Sequence, residues 1–354
     1  MARHYQRRAD EGFRSRIAIP PPPFQFSWTD PLLACGSCFA QDVCGSLQSA
    51  GLPVTRNPLG TVYHPLPLAA QLARWHQGKP FQREDLVDCD RGWASLEAHG
   101  HFAGREQDAV LQSLNAAVEE GHRAWHEARA LVLALGSAWA WLDRSSGLAT
   151  ANCHRLPGSR FERRLVSVDE LVAGLGQALE EFLTASPQRL VLLTVSPVRH
   201  LRDDAHENTL SKSALHLAVA ELCRGHERIH YFPAWELMMD ELRDYRYYGD
   251  DLAHPSPMAI EYISHRFAEV WLSPETRAMM DELNAVRTAL EHRPSEPGSV
   301  VYARFLLHQR ERLDQISRTW PGVHLHAFHQ RLQTLEQLHF PEILAPDHPE
   351  ADPS

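Results

Sequence analysis

The stretch Leu32-Leu33-Ala34-Cys35-Gly36-Ser37-Cys38-Phe39-Ala40 decides the fold, because it predicts a strand, a tight turn and the start of a helix. The short apolar run 31–35 predicts a buried central strand of a parallel sheet. Gly36 permits a turn that a side chain would block. Apolar residues at helical spacing over residues 39–50 predict a helix. Ser37 therefore lies where a strand ends and a helix begins, as a helix N-cap or beside N–H groups that favour negative charge.

Composition limits the classes of protein that this chain can belong to. Its 354 residues suffice for one large domain, or for a domain with an appendage. The formal net charge of −10 argues against nucleic acid as a partner. The polar N-terminus lacks the apolar core of a secretory signal, and no run of about 18 apolar residues predicts a membrane span. We therefore expect a cytoplasmic protein with reduced cysteines, and its oligomeric state stays open.

Neither a metal nor another cofactor is predicted. The pair Cys35-x-x-Cys38 has the spacing of half a zinc site or of a redox pair. However, no second Cys-x-x-Cys or His-x-x-x-His pair follows it. The six cysteines are otherwise scattered along the chain, so we expect no bound metal and no cofactor.

Strands and helices alternate through residue 271, which predicts an α/β fold with a parallel sheet. The predicted strands are residues 31–35, 52–56, 130–135, 189–195 and 229–232. The predicted helices of this part are residues 39–50, 67–75, 106–127, 168–183, 208–224, 235–242 and 257–271. Five strands with right-handed crossovers favour a flavodoxin-like doubly wound sheet, whose site lies beyond the carboxyl ends of the strands.

Four regions are expected along the chain. They are an N-terminal arm at 1–30, the α/β domain at 31–272, a helical C-terminal appendage at 273–342 and a disordered tail at 343–354. Within the appendage, helices are predicted at residues 275–292, 299–319 and 325–340. Residues 78–104 and 141–164 are predicted to be irregular insertions in the α/β domain, and such long insertions are typical of the walls of a site.

The chemistry is predicted by Asp251-Leu252-Ala253-His254, just before the last helix of the α/β domain. A serine hydroxyl is a weak nucleophile and needs a nearby base, which His254 can supply. Asp251, three residues earlier, can orient the imidazole and stabilise its protonated form, although Asp250 is an alternative. Cys38 is an alternative nucleophile, because a helix N-terminus lowers a thiol pKa.

A glycine-serine turn after the first strand and Asp-x-x-His before the last helix resemble the SGNH/GDSL hydrolases. The chain is more closely similar to the GSCFA family, because residues 36–40 read Gly-Ser-Cys-Phe-Ala. The resemblance extends over about residues 17–272. The further stretches that carry it are Asn57–Thr61, Leu135–Trp139, Asn152–His154, Ser196–His200, Asp240–Tyr245 and His254–Ser256.

The resemblance implies a role for each matching residue. Ser37 would be the nucleophile, His254 the general base and acid, and Asp251 the orienting carboxylate. The main-chain N–H groups of Ser37 and Gly60 would be oxyanion donors. Residues 136–139 lack the asparagine that SGNH enzymes carry after this strand, and Asn152 is the nearest candidate to replace it.

The remaining site predictions concern substrate binding. The predicted substrate-binding residues are Cys38, Ser137, His154, Arg199, His200 and Arg243. Asn152 and His154 could instead bond within their loop, and the two arginines and His200 could be solvated or salt-bridged. The predicted activity is that of a serine esterase acting on a small-molecule or glycan ester. The alternatives are an acyltransferase on the same scaffold and a non-catalytic ligand-binding module.

Overall fold

The computed structural model describes residues 15–340, and within them the chain divides into two compact units. The first unit comprises the residues up to Gln25, Asp30–Gln48 and Val54–Trp271. The second comprises Phe26–Thr29, Ser49–Pro53 and the residues from Leu272 onward. The first half of the predicted arm and the predicted disordered tail lie outside the described residues.

The regular elements of residues 15–340 follow the predicted alternation. The strands are β1 Leu32–Gly36, β2 Val54–Arg56, β3 Val87–Cys89, β4 Gly92–Ala94, β5 Ala130–Leu135, β6 Trp139–Asp143, β7 Phe161–Leu165, β8 Leu190–Val195 and β9 Ile229–Tyr231. The helices of the first unit are α1 Cys38–Ser49, α2 Pro65–Gln77, α3 Gln107–Glu127, α4 Val168–Thr184, α5 Ala205–Gly225, α6 Ala234–Glu236 and α7 Pro257–Trp271. Those that follow are α8 Pro274–Glu291, α9 Val300–Thr319 and α10 His326–His339.

One parallel sheet organises the first unit, with the strand order β2-β1-β5-β8-β9. This is the 2-1-3-4-5 order of flavodoxin-type sheets, so the predicted α/β class and five-stranded parallel sheet are confirmed. Every residue of β1, β5 and β8 is buried, as expected of central parallel strands. Gly36, Leu135 and Val195 therefore end neighbouring strands at one edge of the sheet.

The two insertions are not irregular, and that prediction is wrong. Strands β3 and β4 form an antiparallel hairpin within residues 78–104, and β6 and β7 form a second one after β5. Strand β7 has the sequence Phe-Glu-Arg-Arg-Leu, whose charged centre hides the strand from a search for apolar runs. Its Arg163 bonds to Asp203 and Glu207, which lie 40 and 44 residues further along the chain, so distant residues neutralise the charge of the strand.

The second unit is helical, as predicted. Ser273 caps α8 by accepting a hydrogen bond from Thr276 N–H, and Ser299 caps α9 in the same way. Leu283 and Leu313 are among the buried apolar residues of these helices. None of the helices between residues 15 and 340 is long and apolar enough to cross a membrane.

Candidate active site

The turn after β1 holds Ser37 in a closed environment. Gly36 has φ +124°, and a Cβ there would lie 2.2 Å from Ala134 O, so only glycine fits. The Ser37 N–H donates to the same Ala134 oxygen at 2.9 Å. Ser37 is only 1% exposed, and its Oγ has no hydrogen-bond partner among the described residues. Thr194 and Ser264 are further buried residues of the described chain whose hydroxyls lack a partner.

The loop after β2 fixes this turn from the other side. The Asn57 side chain accepts from Gly36 N–H at 2.8 Å, and Val62 N–H donates to Gly36 O at 3.0 Å. Gly60 has φ +81°, and a Cβ there would lie 2.2 Å from His99 Cβ. The loop after β2 therefore positions the glycine turn through the Asn57 side chain and the main-chain N–H of Val62.

Asp251 and His254 form a bonded pair in the loop before α7. Asp251 Oδ2 lies 2.6 Å from His254 Nδ1, and Oδ1 accepts from the N–H groups of Ala253 and His254 at 3.0 Å. These three bonds hold the pKa of Asp251 well below its usual range. An ionised Asp251 requires the proton on Nδ1, which leaves Nε2 as the free, basic nitrogen. The structure thus pairs His254 with Asp251, and this contact does not involve Asp250.

An open cavity of about 1010 Å³ lies at the carboxyl edge of the sheet and includes His254 in its wall. The predicted site residues that line it are Ser137, Asn152, His154, Arg199, His200 and His254. Ser37, Cys38, Gly60 and Arg243 do not line it. His254 also lies close enough to α1 to influence Asp42 in that helix. Burial raises the pKa of Asp42, and the positive charge of His254 acts in the opposite direction.

The predicted oxyanion donors Ser37 and Gly60 are not supported, because both N–H groups are used within the fold. Ser37 N–H bonds to Ala134 O, and Gly60 N–H donates to Asn57 O at 2.7 Å. In the first turn of α1, the N–H groups of Cys38 and Phe39 have no main-chain acceptor among the described residues. These two N–H groups lie beside Ser37 at the N-terminus of α1, where the sequence already places groups that favour negative charge, and both lower the pKa of the Cys38 thiol.

Cys38 is half-buried at the start of α1. Burial raises the pKa of its thiol, and the charge of Asp42 adds to this effect. The N–H groups of Phe39 and Cys38 and the ammonium of Lys212 act in the opposite direction. Because the pKa stays above its usual value, Cys38 is a neutral thiol near pH 7 and a weak nucleophile.

A stripe of polar residues on the buried face of α5 holds the ends of β5 and β8 together. Lys212 Nζ donates to Gly136 O at 2.6 Å and to Ser196 O at 2.7 Å. Ser211 Oγ accepts from Ala138 N–H at 2.8 Å, and Asn208 Nδ2 donates to His200 O at 2.8 Å. Burial lowers the pKa of Lys212 to about 7. This stripe was not predicted from the sequence, although a lysine among the apolar positions of an amphipathic helix is a usable signal.

The loop residues Asn152 and His154 both line the cavity and bond locally. Asn152 Oδ1 accepts from His154 N–H at 2.8 Å, and His154 Nε2 lies 2.7 Å from Ser95 O. A place in the wall of the cavity and hydrogen bonding within the loop, the two alternatives left open by the sequence, are therefore compatible. Asn152 Nδ2 as an oxyanion donor stays a prediction.

The predicted role of Arg243 in substrate binding is not supported. Its guanidinium is exposed, lies 3.1 Å from Asp240 and donates to Met239 O. This side chain therefore belongs to a surface ion pair. Among the described residues, no group of three His, Cys, Asp or Glu side chains could hold a metal ion.

Comparison with known families agrees with this architecture. The model of the GSCFA family matches residues 31–267, and the chain belongs to that family. A second family model, described as the C-terminal domain of GSCFA domain proteins, matches residues 283–338 in the helical second unit. A search of curated proteins found no match to this chain.

Proposed function

We propose that the protein is a serine ester hydrolase with an SGNH/GDSL-like scaffold, acting on a small-molecule or glycan ester. The observation that carries this proposal is the pair formed by Asp251 and His254 at the edge of a large cavity. A carboxylate bonded to Nδ1 presents Nε2 of the imidazole as a base at neutral pH, which is the arrangement that serine catalysis requires.

The proposed reaction has two acyl-transfer steps. Ser37 Oγ attacks the ester carbonyl carbon while His254 Nε2 takes the hydroxyl proton. Collapse of the tetrahedral intermediate breaks the bond to the alcohol, which receives that proton from His254. Water then attacks the acyl-Ser37 ester, again with His254 as base, and the acid leaves as Ser37 regains its proton.

The unbonded hydroxyl of Ser37 supports its role as nucleophile. Ser37 Oγ has no partner within the described residues, so no hydrogen bond has to be broken before it attacks a substrate. The buried hydroxyls of Thr194 and Ser264 also lack a partner there, but neither follows β1 at the N-terminus of α1. The oxyanion would be held by the N–H groups of Cys38 and Phe39, which lie in the first turn of α1. An N–H of the residue after the nucleophile has this role in other α/β hydrolases.

A fluorophosphonate probe and mass spectrometry test the proposal directly. We expect labelling of Ser37 in the parent protein, none in Ser37→Ala, and loss of ester turnover by at least about 10³-fold in that variant. The matched control is Cys38→Ser, which should keep its label and most of its activity. Labelling of Cys38 by iodoacetamide with loss of turnover would point to a thiol enzyme instead.

Two further outcomes of the same assay assign the alternatives. Transfer of the acyl group to an added alcohol faster than to water would make the protein an acyltransferase. Absence of both labelling and turnover in a folded sample would contradict the hydrolase proposal and favour a non-catalytic binding module.

We also propose a cytoplasmic location. The six cysteines, all within the described part of the chain, carry free thiols. Free thiols are typical of a reducing compartment. Fractionation of cells that express the full chain would test this proposal.

A further inference from the structure

The cavity beside His254 concentrates positive charge in a chain whose net charge is −10. The arginines that line it are Arg91, Arg155, Arg163, Arg199 and Arg202. A single carboxylate, that of Asp203, lies among the lining residues. This local excess of cations opposes the overall sign of the protein, so its concentration in one cavity is informative.

The single acid does not neutralise this excess. Asp203 lies 2.6 Å from Arg163, which is also 3.1 Å from Glu207. Within residues 15–340, no carboxylate lies within ion-pair distance of the other four arginines of the cavity. Arg91, Arg155 and Arg202 are exposed, so their charged groups are accessible from the cavity.

Arg155, one of the arginines that line the cavity, lies in a strained stretch of backbone. His154 and Arg155 are consecutive residues with φ of +48° and +60°, a conformation that residues other than glycine rarely adopt. Strain of this kind persists where the surroundings enforce it and clusters at functional sites. The bonds of His154 to Asn152 and Ser95 enforce it here.

Burial lowers the pKa of two histidines that line the cavity, and neighbouring positive charges contribute less. Burial is the main cause that lowers the pKa of His200 to about 4, and the charges of Lys212, His254 and Arg202 act in the same direction. Burial also lowers the pKa of His154, with contributions from His99 and Arg91. Both imidazoles are therefore neutral near pH 7 and able to donate or accept hydrogen bonds.

We propose that the cavity binds an anionic group of the substrate, so that the ester carries a phosphate, sulfate or carboxylate beside the bond that is cleaved. Guanidinium groups bind such oxyanions through charge-assisted, often bidentate hydrogen bonds. Arg155 and Arg202 are the recognition residues, since both are exposed, line the cavity and have no acidic partner in the described chain. Arg91 shares these properties, but its guanidinium donates to Gly100 O at 3.1 Å. This inference rests on the proposed hydrolase function for its catalytic readout, but not for its binding readout.

Turnover of two esters that differ in one group provides the first test. We would compare phenyl acetate with 4-acetoxyphenyl phosphate, which share the acetyl group and the phenol ring. The anionic ester should have a kcat/KM at least about tenfold higher at low salt. The variant Arg155→Gln/Arg202→Gln should lose this preference, because its kcat/KM for the anionic ester should fall at least about tenfold.

Calorimetric titration with inorganic pyrophosphate provides a second readout that needs no catalysis. We expect binding that weakens with salt and falls at least about tenfold in Arg155→Gln/Arg202→Gln. The matched control is Arg243→Gln, because Arg243 is an exposed arginine that does not line the cavity. Circular dichroism would verify that all variants are folded.

The outcomes separate the two proposals. Equal kcat/KM for both esters, with pyrophosphate binding unchanged in the double variant, would overturn the anionic-substrate inference and leave the hydrolase proposal intact. Binding of pyrophosphate that depends on Arg155 and Arg202, without turnover of either ester, would support the inference and contradict the hydrolase proposal.

Discussion

The turn after β1 and the loop before α7 supply the two halves of the proposed catalytic device, and they are built in opposite ways. Ser37 is buried and its hydroxyl has no partner within the described residues, whereas His254 is half exposed and bonded. The turn is fixed mainly by main-chain bonds, to Ala134 and Val62, together with one bond from Gly36 N–H to the Asn57 side chain. The loop is fixed by a side chain, because Asp251 accepts from two N–H groups and from the imidazole.

This difference indicates which parts of the site are preorganised. The orientation and tautomer of His254 are set before substrate arrives, since the bonds of Asp251 are complete. The hydroxyl of Ser37 has no bond to a base within the described residues, so in the proposed reaction it would have to rotate toward the substrate and His254. We therefore expect substitutions in the loop before α7 to lower the activity and leave the fold intact. Substitutions in the turn after β1 should instead lower the free energy of unfolding.

The largest expected effect follows from Asp251→Asn. An amide in place of the carboxylate can donate to Nδ1, which moves the imidazole proton to Nε2 and removes the base. We expect kcat/KM for an activated ester to fall about 10⁴-fold with the fold unchanged. Steady-state kinetics at pH 7.5 would measure this.

Asp250→Asn is the matched control for that change. Asp250 is adjacent and exposed, and the bonds to His254 come from Asp251. We expect activity within about threefold of that of the parent protein, because Asp250 is an exposed residue outside the bonded pair and substitutions at such positions usually have small effects. A large loss in Asp250→Asn with activity kept in Asp251→Asn would reverse the assignment.

The next effect concerns the turn, where Gly36→Ala should destabilise the whole first unit. The added Cβ would meet Ala134 O at 2.2 Å, and the φ of +124° is strained for alanine. We expect the free energy of unfolding in urea to fall by at least about 3 kcal/mol.

Gly249→Ala is the corresponding change in the loop. A Cβ at Gly249 would make ordinary contacts, 3.6 Å from His254 O and 3.8 Å from Asp251 Oδ1. We expect a change within about 0.5 kcal/mol. Similar losses in both variants would show that the two regions are not built differently.

The sequence predicted the parts of the fold whose signal is local. Strand Ala130–Leu135 and helix Pro257–Trp271 have the predicted bounds, because an unbroken apolar run and a 3.6-residue period are local patterns. The hairpin of β6 and β7 was missed, because its charged residues are stabilised by distant partners such as Glu207.

In the candidate site, too, contacts between residues close in sequence could be predicted, whereas contacts between distant residues could not. Asp251 and His254 lie three residues apart, so their pairing could be predicted from spacing. Which N–H groups remain free near Ser37 depends on Ala134, which lies on another strand. Lys212 was missed for a related reason, since its acceptors lie 16 and 76 residues away along the chain.

The smallest expected effect concerns the charge of Lys212, whose ammonium group bonds to the carbonyls of Gly136 and Ser196. Its pKa is lowered to about 7 in the folded protein, whereas that of an unfolded lysine is about 10.4. Between these values the unfolded chain binds the additional proton, so the contribution of Lys212 to stability rises with pH over this window and is constant below it. Relative to Lys212→Met, the free energy of unfolding of the parent protein should gain about 2 kcal/mol from pH 7.5 to 9.

The other lysine of the chain, Lys79, is exposed and offers the control variant Lys79→Met. Urea titrations of the three proteins at both pH values would measure the difference, and Lys79→Met should follow the parent protein. A constant difference between the parent protein and Lys212→Met would mean that the carbonyls of Gly136 and Ser196 keep the ammonium charged. Lys212 would then remain a cation throughout the working pH range, beside the N-terminus of α1 where the oxyanion is proposed to form.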